Sequence, residues 1–191
     1  MKGKSIMNTN LAYQEDPREE LLHGEIYMMS SPSVNHNRVA FHIATAFHTR
    51  LKGKTCEVFA DGTDVYLTDD DRVIPDVMII CNKDIIKNDG IHGTPDLIVE
   101  VLSPGTSKND RGYKRDLYEM SGVKEYWIVD TKLRSIESYL LTDGKYKLGG
   151  VYQLPDDDMI EREREACTDT IPVSLCNDFN ISLEEIFYNL F

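Results

Sequence analysis

The sequence predicts a single α/β (α+β) domain in which a mixed central sheet is flanked by helices. Short runs rich in β-branched and aromatic residues alternate with segments of helical period, and turn-forming residues separate them. No internal repeat or low-complexity linker divides the 191 residues, and a chain of this length can bury one substantial core. The expected domain therefore spans 1–191, with 1–15 as a candidate disordered segment.

Three helices are expected. The first runs from Val34 to Leu51, where apolar residues recur at helical spacing after the breaker-rich sequence Ser-Ser-Pro-Ser. The second covers residues 108–120 and stops at Ser121-Gly122, a typical helix end. The third begins near the C-terminus, where Ser182 and Glu185 have the spacing of a capping box.

Strands are expected at the remaining apolar runs. An N-terminal hairpin contains the sequence Gly-Glu-Ile-Tyr-Met-Met, and its glutamate is Glu25. Clusters of Asp, Gly, Asn and Pro bound the later strands, which are predicted at residues 57–60, 64–67, 77–81, 97–102, 125–130, 135–141 and 146–152. Asp143-Gly144 joins the last two and is a strong hairpin signal.

Composition limits the class of protein. The net charge of −12 opposes loose binding of any polyanion, because cations that neutralise phosphates dominate nucleic-acid affinity. The N-terminus has no signal-peptide core and no apolar run is long enough to span a bilayer, so a soluble, cytoplasmic protein is expected. The four cysteines show no paired spacing, and we expect reduced, mostly buried thiols and no zinc site.

The candidate chemistry centres on two acidic residues. Glu100 interrupts an almost wholly apolar predicted strand, and Asp76 follows Pro75 directly before another strand. A buried carboxylate is costly unless a cation or hydrogen-bond donors compensate it. Carboxylates on adjacent strands, with the backbone carbonyl of Val101 nearby, are oxygen ligands that suit Mg²⁺, and Mn²⁺ is a second candidate. The alternative is that Glu100 forms a structural ion pair and Asp76 merely sits in a turn.

Longer sequence patterns resemble a known family. The sequence PDV at Asp76, PDLIVEVLSPGTSKND from Pro95 and KRDLYEMSGVKEYWIVD from Lys114 are similar to the Uma-type restriction endonucleases, a branch of the PD-(D/E)XK nuclease superfamily. The likeness runs from HGEIYMMSSPS at His23 to the terminal helix. It implies a restriction-endonuclease-like fold and a metal-dependent endonuclease that hydrolyses DNA phosphodiester bonds.

The resemblance also implies roles for individual residues. Asp76 and Glu100 match the two metal-binding carboxylates of the superfamily, but Leu102 occupies the place of its lysine. Lys114 in the following helix is the candidate that supplies the missing ammonium. A surface salt bridge from Lys114 to Asp110, four residues earlier, is the alternative.

Two further positions match the family more loosely. Glu25 corresponds to an N-terminal acidic position and is a candidate third carboxylate, although an exposed hairpin glutamate would have the same sequence. His36 completes a Ser-Pro-x-x-x-His feature and is a candidate phosphate contact, the alternative being a role in helix entry.

The sequence thus predicts a Mg²⁺-dependent endodeoxyribonuclease with DNA as substrate and a homodimer as a candidate assembly. Two rivals stay open: a catalytically inert binding or scaffold member of the same fold, and a metal-dependent hydrolase of another phosphate ester. A rim of basic residues around Asp76 would favour nucleic acid, and its candidates are Arg38, Lys108, Arg111 and Arg115.

Overall fold

The computed structural model describes residues 18–60, 62–156, 159–175 and 179–191. The candidate disordered segment 1–15 and one of the four cysteines, Cys176, lie outside the described residues. In the part that is described, no helix is both long and apolar enough to cross a membrane.

The described ranges contain five α-helices and fourteen strands. The helices are α1 (Val34–Leu51), α2 (Ser107–Arg111), α3 (Tyr113–Ser121), α4 (Glu161–Ala166) and α5 (Leu183–Ile186). The strands are β1 (Glu19–Leu22), β2 (Glu25–Met28), β3 (Glu57–Ala60), β4 (Val65–Thr68), β5 (Asp71–Val73), β6 (Val77–Ile80), β7 (Ile86–Lys87), β8 (Gly90–His92), β9 (Leu97–Val101), β10 (Glu125–Asp130), β11 (Ser135–Thr142), β12 (Lys145–Gln153), β13 (Thr170–Pro172) and β14 (Asn180–Ser182).

The central layer is a six-stranded sheet with the strand order β12-β11-β10-β9-β6-β3. Strands β9 and β10 are parallel, whereas β6 pairs antiparallel with β9. These three strands are buried on both faces, as their nearly continuous apolar sequences predict. One face of the sheet packs on α1 and α5, and the other packs on α3 and a second sheet.

The second six-stranded sheet has the order β2-β1-β5-β4-β8-β7. Its buried side chains Leu22, Val65, Val73 and Ile91 join the same apolar cluster as Ile98 of β9. Each such burial stabilises the fold by about 1.5–3 kcal/mol relative to an exposed side chain. The mixed α/β class and the flanked central sheet are therefore confirmed.

The helix expected over residues 108–120 is interrupted, which corrects that prediction. Gly112 separates α2 from α3, and a Cβ atom at this position would lie 2.9 Å from the carbonyl oxygen of Lys108. Only glycine allows the backbone to approach that closely. The predicted end of the second helix is observed, because Gly122 adopts the left-handed conformation that caps α3.

Two cysteines correct the expectation of reduced thiols. Cys56 precedes β3 and Cys81 follows β6, and these antiparallel strands pair Glu57 with Ile80. The two cysteines are therefore directly opposite each other, and they form a disulfide. Their pairing depends on strand register, so their spacing along the chain did not reveal it. Cys167 is a free thiol.

The C-terminal helix forms with a different cap from the one expected. Ser182 occupies the N-cap position of α5, but its side chain makes no capping hydrogen bond. Packing of Leu183 and Ile186 in the core shared with α1 holds this short helix in place.

Candidate active site

Two acidic side chains meet where β6 and β9 pair. The register places Val77 opposite Val99, so Asp76, directly before β6, lies opposite Glu100 on β9. Asp76 is 7% exposed and Glu100 is 4% exposed. Because side chains alternate along a strand, both carboxylates lie on the face of the central sheet that packs against α3.

The Asp76 carboxylate is held from two directions. Its Oδ2 atom accepts a 2.7 Å hydrogen bond from the backbone N–H of Val101 and lies 3.2 Å from Nε2 of His36. His36 is in the first turn of α1, where its own N–H donates to the N-cap Ser33. His36 thus contacts the acidic cluster, and its expected contact with a phosphate stays a prediction.

Lys114 reaches the cluster from α3. Its ammonium lies 2.7 Å from Glu100 Oε1, 2.9 Å from Glu20 Oε1 and 3.7 Å from Asp110 Oδ1, and the residue is 2% exposed. The contact with Asp110 exists, but it is a buried part of a larger cluster rather than a surface salt bridge. The ammonium therefore lies beside Glu100, although it comes from α3.

The charges of this cluster determine its protonation. Burial lowers the pKa of Lys114, but the charges of Glu100, Glu20 and Asp110 outweigh burial and hold the pKa well above its ordinary value. Lys114 is therefore protonated. Burial raises the pKa of Glu100 well above its ordinary range, against the opposing effect of Lys114, and burial likewise raises the pKa of Asp110. The cluster thus holds more carboxylates than cations, which favours either an added proton or an added cation.

Tyr118 lies one helical turn after Lys114 and was not among the candidate site residues, although it shares a helix face with Lys114. Its hydroxyl donates a 2.6 Å hydrogen bond to Glu100 Oε1, the same oxygen that Lys114 contacts. Burial and the neighbouring Glu100 and Glu20 charges raise the pKa of Tyr118 well above its ordinary value, so the hydroxyl remains a donor. The spacing of Lys114 and Tyr118 on one helix face was the available signal.

The structure places Glu20, and not Glu25, beside Lys114 in the acidic cluster. Glu25 lies on the edge strand β2, is exposed, and contacts the Tyr27 hydroxyl at 3.4 Å. Glu20 lies on the inner strand β1, is 4% exposed, and also accepts a 2.9 Å hydrogen bond from the Ile74 N–H. The alternation in Glu-Glu-Leu-Leu places Glu20 on the same face as the buried Leu22, which was the signal missed.

A cavity of about 720 Å³ opens beside the cluster. His36, Asp76, Glu100 and Lys114 line its buried end, and Leu102 also lines it. The rest of the wall comes from the loops of residues 29–33 and 102–107 and from the turn of residues 130–132. The concave shape and the few convergent charged groups are typical of a small-molecule or substrate site.

The carboxylate oxygens at the cavity partly match the ligands that a hard divalent cation needs. Among the residues with described positions, neither Asp76 Oδ1 nor Glu100 Oε2 has a hydrogen-bond partner, and both residues line the cavity. Within those same ranges, however, no group of three or more His, Cys, Asp or Glu side chains is arranged to hold a metal ion. The Lys114 ammonium occupies the space between the other carboxylates. Two carboxylate oxygens are therefore available, which is the minimum expected for Mg²⁺ with several retained waters.

The basic rim differs from the expected one. None of Arg38, Lys108, Arg111 and Arg115 lines the cavity. Arg111 pairs with Glu137, Arg115 pairs with Asp116, and Arg38 donates to the Asn189 carbonyl. The cations that do line the cavity, besides Lys114, are Arg18 and Lys132.

Comparisons with known proteins identify the family of the chain. A family model described as "Uma2: Putative restriction endonuclease" matches residues 9–168. Two uncharacterized proteins of Synechocystis sp. are similar to the chain. One is 31% identical over 70% of this chain and 72% of its own, and the other is 25% identical over 66% of this chain and 73% of its own.

A solved structure shares the fold. It is the crystal structure of "a putative nuclease belonging to DUF820" from Anabaena variabilis, with a TM-score of 0.67 and 19% identity over 90% of each chain. The family match covers most of the sequence, and the structural likeness covers 90% of the chain. The chain belongs to the family described as "Uma2: Putative restriction endonuclease" and has a restriction-endonuclease-like fold.

Proposed function

We propose that this protein is a Mg²⁺-dependent endodeoxyribonuclease. Asp76 and Glu100 would hold the ion through the two oxygens that have no other partner, and the backbone carbonyl of Val101 is the third candidate ligand. A Mg²⁺ ion bound there supplies Lewis-acid polarisation of the phosphoryl group and an activated water nucleophile. Mn²⁺ has a similar preference for oxygen ligands and is the expected substitute.

The side chains around the carboxylates have separate roles in this proposal. Lys114 keeps its proton and offers an ammonium that stabilises negative charge on the phosphate or positions the attacking water. Tyr118 fixes Glu100 Oε1, which leaves Oε2 directed toward other partners. His36 and the Val101 N–H fix Asp76 Oδ2 in the same way. Glu20, bonded to Lys114, orients the ammonium.

The position of Lys114 is the observation that carries the proposal. Its ammonium lies 2.7 Å from Glu100 although it comes from α3, while Leu102 stands at the strand position where the superfamily has its lysine. A structural ion pair alone does not require two partly unsatisfied carboxylates beside a cavity. The combination of two carboxylates, one ammonium and a cavity supports hydrolysis of a phosphodiester.

Cleavage assays with purified protein test the proposal. Supercoiled and single-stranded DNA would be incubated with a titration of Mg²⁺ or Mn²⁺, and cleavage should require the cation. Glu100→Gln should lower the rate at least about 100-fold, as the loss of one preorganised group in a catalytic site commonly does. Glu57→Gln, which alters an exposed glutamate paired with Lys83, is the matched control and should leave the rate unchanged.

The stability of Glu100→Gln separates function from structure. Lys114 would keep its 2.9 Å contact with Glu20, so no buried cation is left unpaired, and we expect little change in thermal unfolding. Absence of cation-dependent cleavage by the wild-type protein, or wild-type activity in Glu100→Gln, would contradict the proposal.

The inert binding or scaffold member is the second candidate. The observation that favours it is the Lys114 ammonium, which partly neutralises three carboxylates without any metal. Thermal unfolding with and without millimolar Mg²⁺ distinguishes the two, because a ligand that binds only the native state raises its unfolding temperature. No shift would favour the inert member. The homodimer and the cytoplasmic location also stay predictions, and sedimentation equilibrium tests the first.

A further inference from the structure

The outer wall of the cavity differs chemically from its buried end. Two loops, residues 29–33 and 102–107, contribute hydroxyl side chains and small residues, and no acidic side chain of either loop is present. Ser103 and Thr106 hydroxyls lie 3.0 Å apart within one loop. Hydroxyl groups can donate to an anion and carry no charge that repels it. The outer wall is therefore suited to negatively charged oxygens.

Gly105 leaves a gap between the two loops. A Cβ atom on Gly105 would lie 3.7 Å from the Ser30 hydroxyl and 3.9 Å from the Ser103 hydroxyl. These distances are ordinary van der Waals contacts, and Gly105 has no positive φ angle, so alanine would fit without strain. Two hydroxyls from different loops thus border one small space that is open only because the residue is glycine.

The cations beside this wall are few. Lys132 is exposed, lines the cavity in the β10–β11 turn, and forms no ion pair within the described ranges. Arg18 lines the cavity as well. The remaining rim candidates identified from the sequence do not line it, and the whole chain carries a net charge of −12. Asp130 also lines this wall and offsets one of the two cations, so the outer wall can neutralise about one phosphate.

We propose that Ser30, Ser103, Gly105 and Lys132 form a subsite for one phosphate next to the scissile phosphate, and that the substrate is single-stranded DNA. This inference rests on the proposed function. A duplex binder neutralises about 6–10 phosphates along a stiff rod, whereas the outer wall of this cavity has a net excess of one cation at a concave site. A flexible single strand can bend two successive phosphates into such a cavity, and its unpaired bases need not enter it.

Binding measurements test the subsite without cleavage. Fluorescein-labelled oligothymidylates of 4 and 16 nucleotides and a 16-base-pair duplex would be titrated with the full-length protein in EDTA, using fluorescence anisotropy at several salt concentrations. One neutralised phosphate predicts a slope of log K against log salt of about −0.7 for the single strands. The tetramer should bind within a few fold of the 16-mer, because both fill the same subsite.

Three variants test which residues cause the salt dependence of binding. Lys132→Gln should weaken binding and bring the slope close to zero, since the phosphate contact is lost. Gly105→Ala should weaken binding with the slope unchanged, because it fills the space without altering charge. Lys108→Gln is the matched control, since Lys108 is an exposed lysine on α2 outside the cavity. Unchanged thermal unfolding of each variant shows that it is folded.

The outcomes distinguish the subsite from the proposed function. Tighter binding of the duplex, a slope steeper than about −5, or no difference between Lys132→Gln and Lys108→Gln would overturn the single-strand subsite and leave the nuclease proposal standing. Binding as predicted without any cation-dependent cleavage would overturn the nuclease proposal, and with it the assignment of a neighbouring scissile phosphate. No binding of any oligonucleotide would overturn the subsite.

Discussion

Replacing Lys114 by methionine should destabilise the protein strongly at neutral pH. Methionine has a similar length and removes only the charge and the hydrogen-bond donors. In the wild-type protein the ammonium lies within 4 Å of Glu20, Glu100 and Asp110, all of which are buried. Without it, three carboxylates would face each other in a site shielded from water.

The size of the loss follows from these contacts. Breaking a buried ion pair by removing one partner costs about 3–5 kcal/mol. The protein can limit that cost by protonating Glu100. From its ordinary pKa of 4.5, protonation of Glu100 at pH 7 requires about 1.4 kcal/mol per pH unit over 2.5 units, or about 3.5 kcal/mol. A loss of about 3–5 kcal/mol in the free energy of unfolding is therefore expected at pH 7.

The same reasoning predicts the pH dependence. Burial already raises the pKa of Glu100 in the wild-type protein, and loss of the Lys114 charge, which lowers that pKa, should raise it further in the variant. The stability contributed by its protonation is therefore present below about pH 4.5 and is lost as the pH rises through the folded-state pKa. At pH 5 the protonation cost falls to about 0.7 kcal/mol, so most of the deficit of Lys114→Met should disappear.

Urea unfolding of wild type and variant at pH 5 and pH 7 measures both effects. Lys145→Met is the matched control, because Lys145 lies 2.7 Å from Glu119 but is 76% exposed in its side chain. It should unfold like the wild type, since exposed ion pairs contribute little. If Lys114→Met is as stable as wild type at pH 7, or equally destabilised at both pH values, the assignment of a net acidic cluster to this site is wrong.

Three other substitutions give independent predictions. Cys81→Ser should lower the unfolding free energy by about 3 kcal/mol in a calorimetric scan, because the disulfide closes a loop of 25 residues. Tyr118→Phe should raise the Mg²⁺ concentration needed for half-maximal cleavage, because Glu100 loses one of the two donors that fix it. Glu125→Gln should lower the free energy of unfolding by about 1–3 kcal/mol, because an amide cannot accept a hydrogen bond from every donor that now contacts the carboxylate. The fluorescence emission of Trp127, which donates to Glu125, should shift.

Elements defined by local signals were predicted from the sequence. Helix α1 begins and ends at the predicted residues, since its apolar spacing and the preceding Ser-Pro-Ser are both local. Strand β10 also matches its predicted bounds, but both of its faces are covered, so Tyr126 and Trp127 are both fully buried rather than alternating between core and surface. The position of Asp76 opposite Glu100 followed from the correct prediction of two neighbouring strands.

Features that depend on approach between distant residues were not predictable. The Cys56–Cys81 disulfide follows from the register of β3 and β6, which the spacing of cysteines does not encode. The break at Gly112 follows from a close approach to the Lys108 carbonyl, whereas the helical period continues across it. The place of Glu20 in the acidic cluster could be predicted only by knowing that β1 is the inner strand of its hairpin.

Leu102 lines the same cavity as Lys114, so two elements of the chain reach one point in space. An ammonium could be supplied from either, and the double variant Leu102→Lys with Lys114→Met would restore the linear carboxylate-x-lysine triplet without moving the site. A search for that triplet along sequences passes over every chain in which the lysine comes from the following helix. A lysine supplied in that way is identified by the spatial meeting of a strand such as β9 with a helix such as α3, and not by its spacing along the chain.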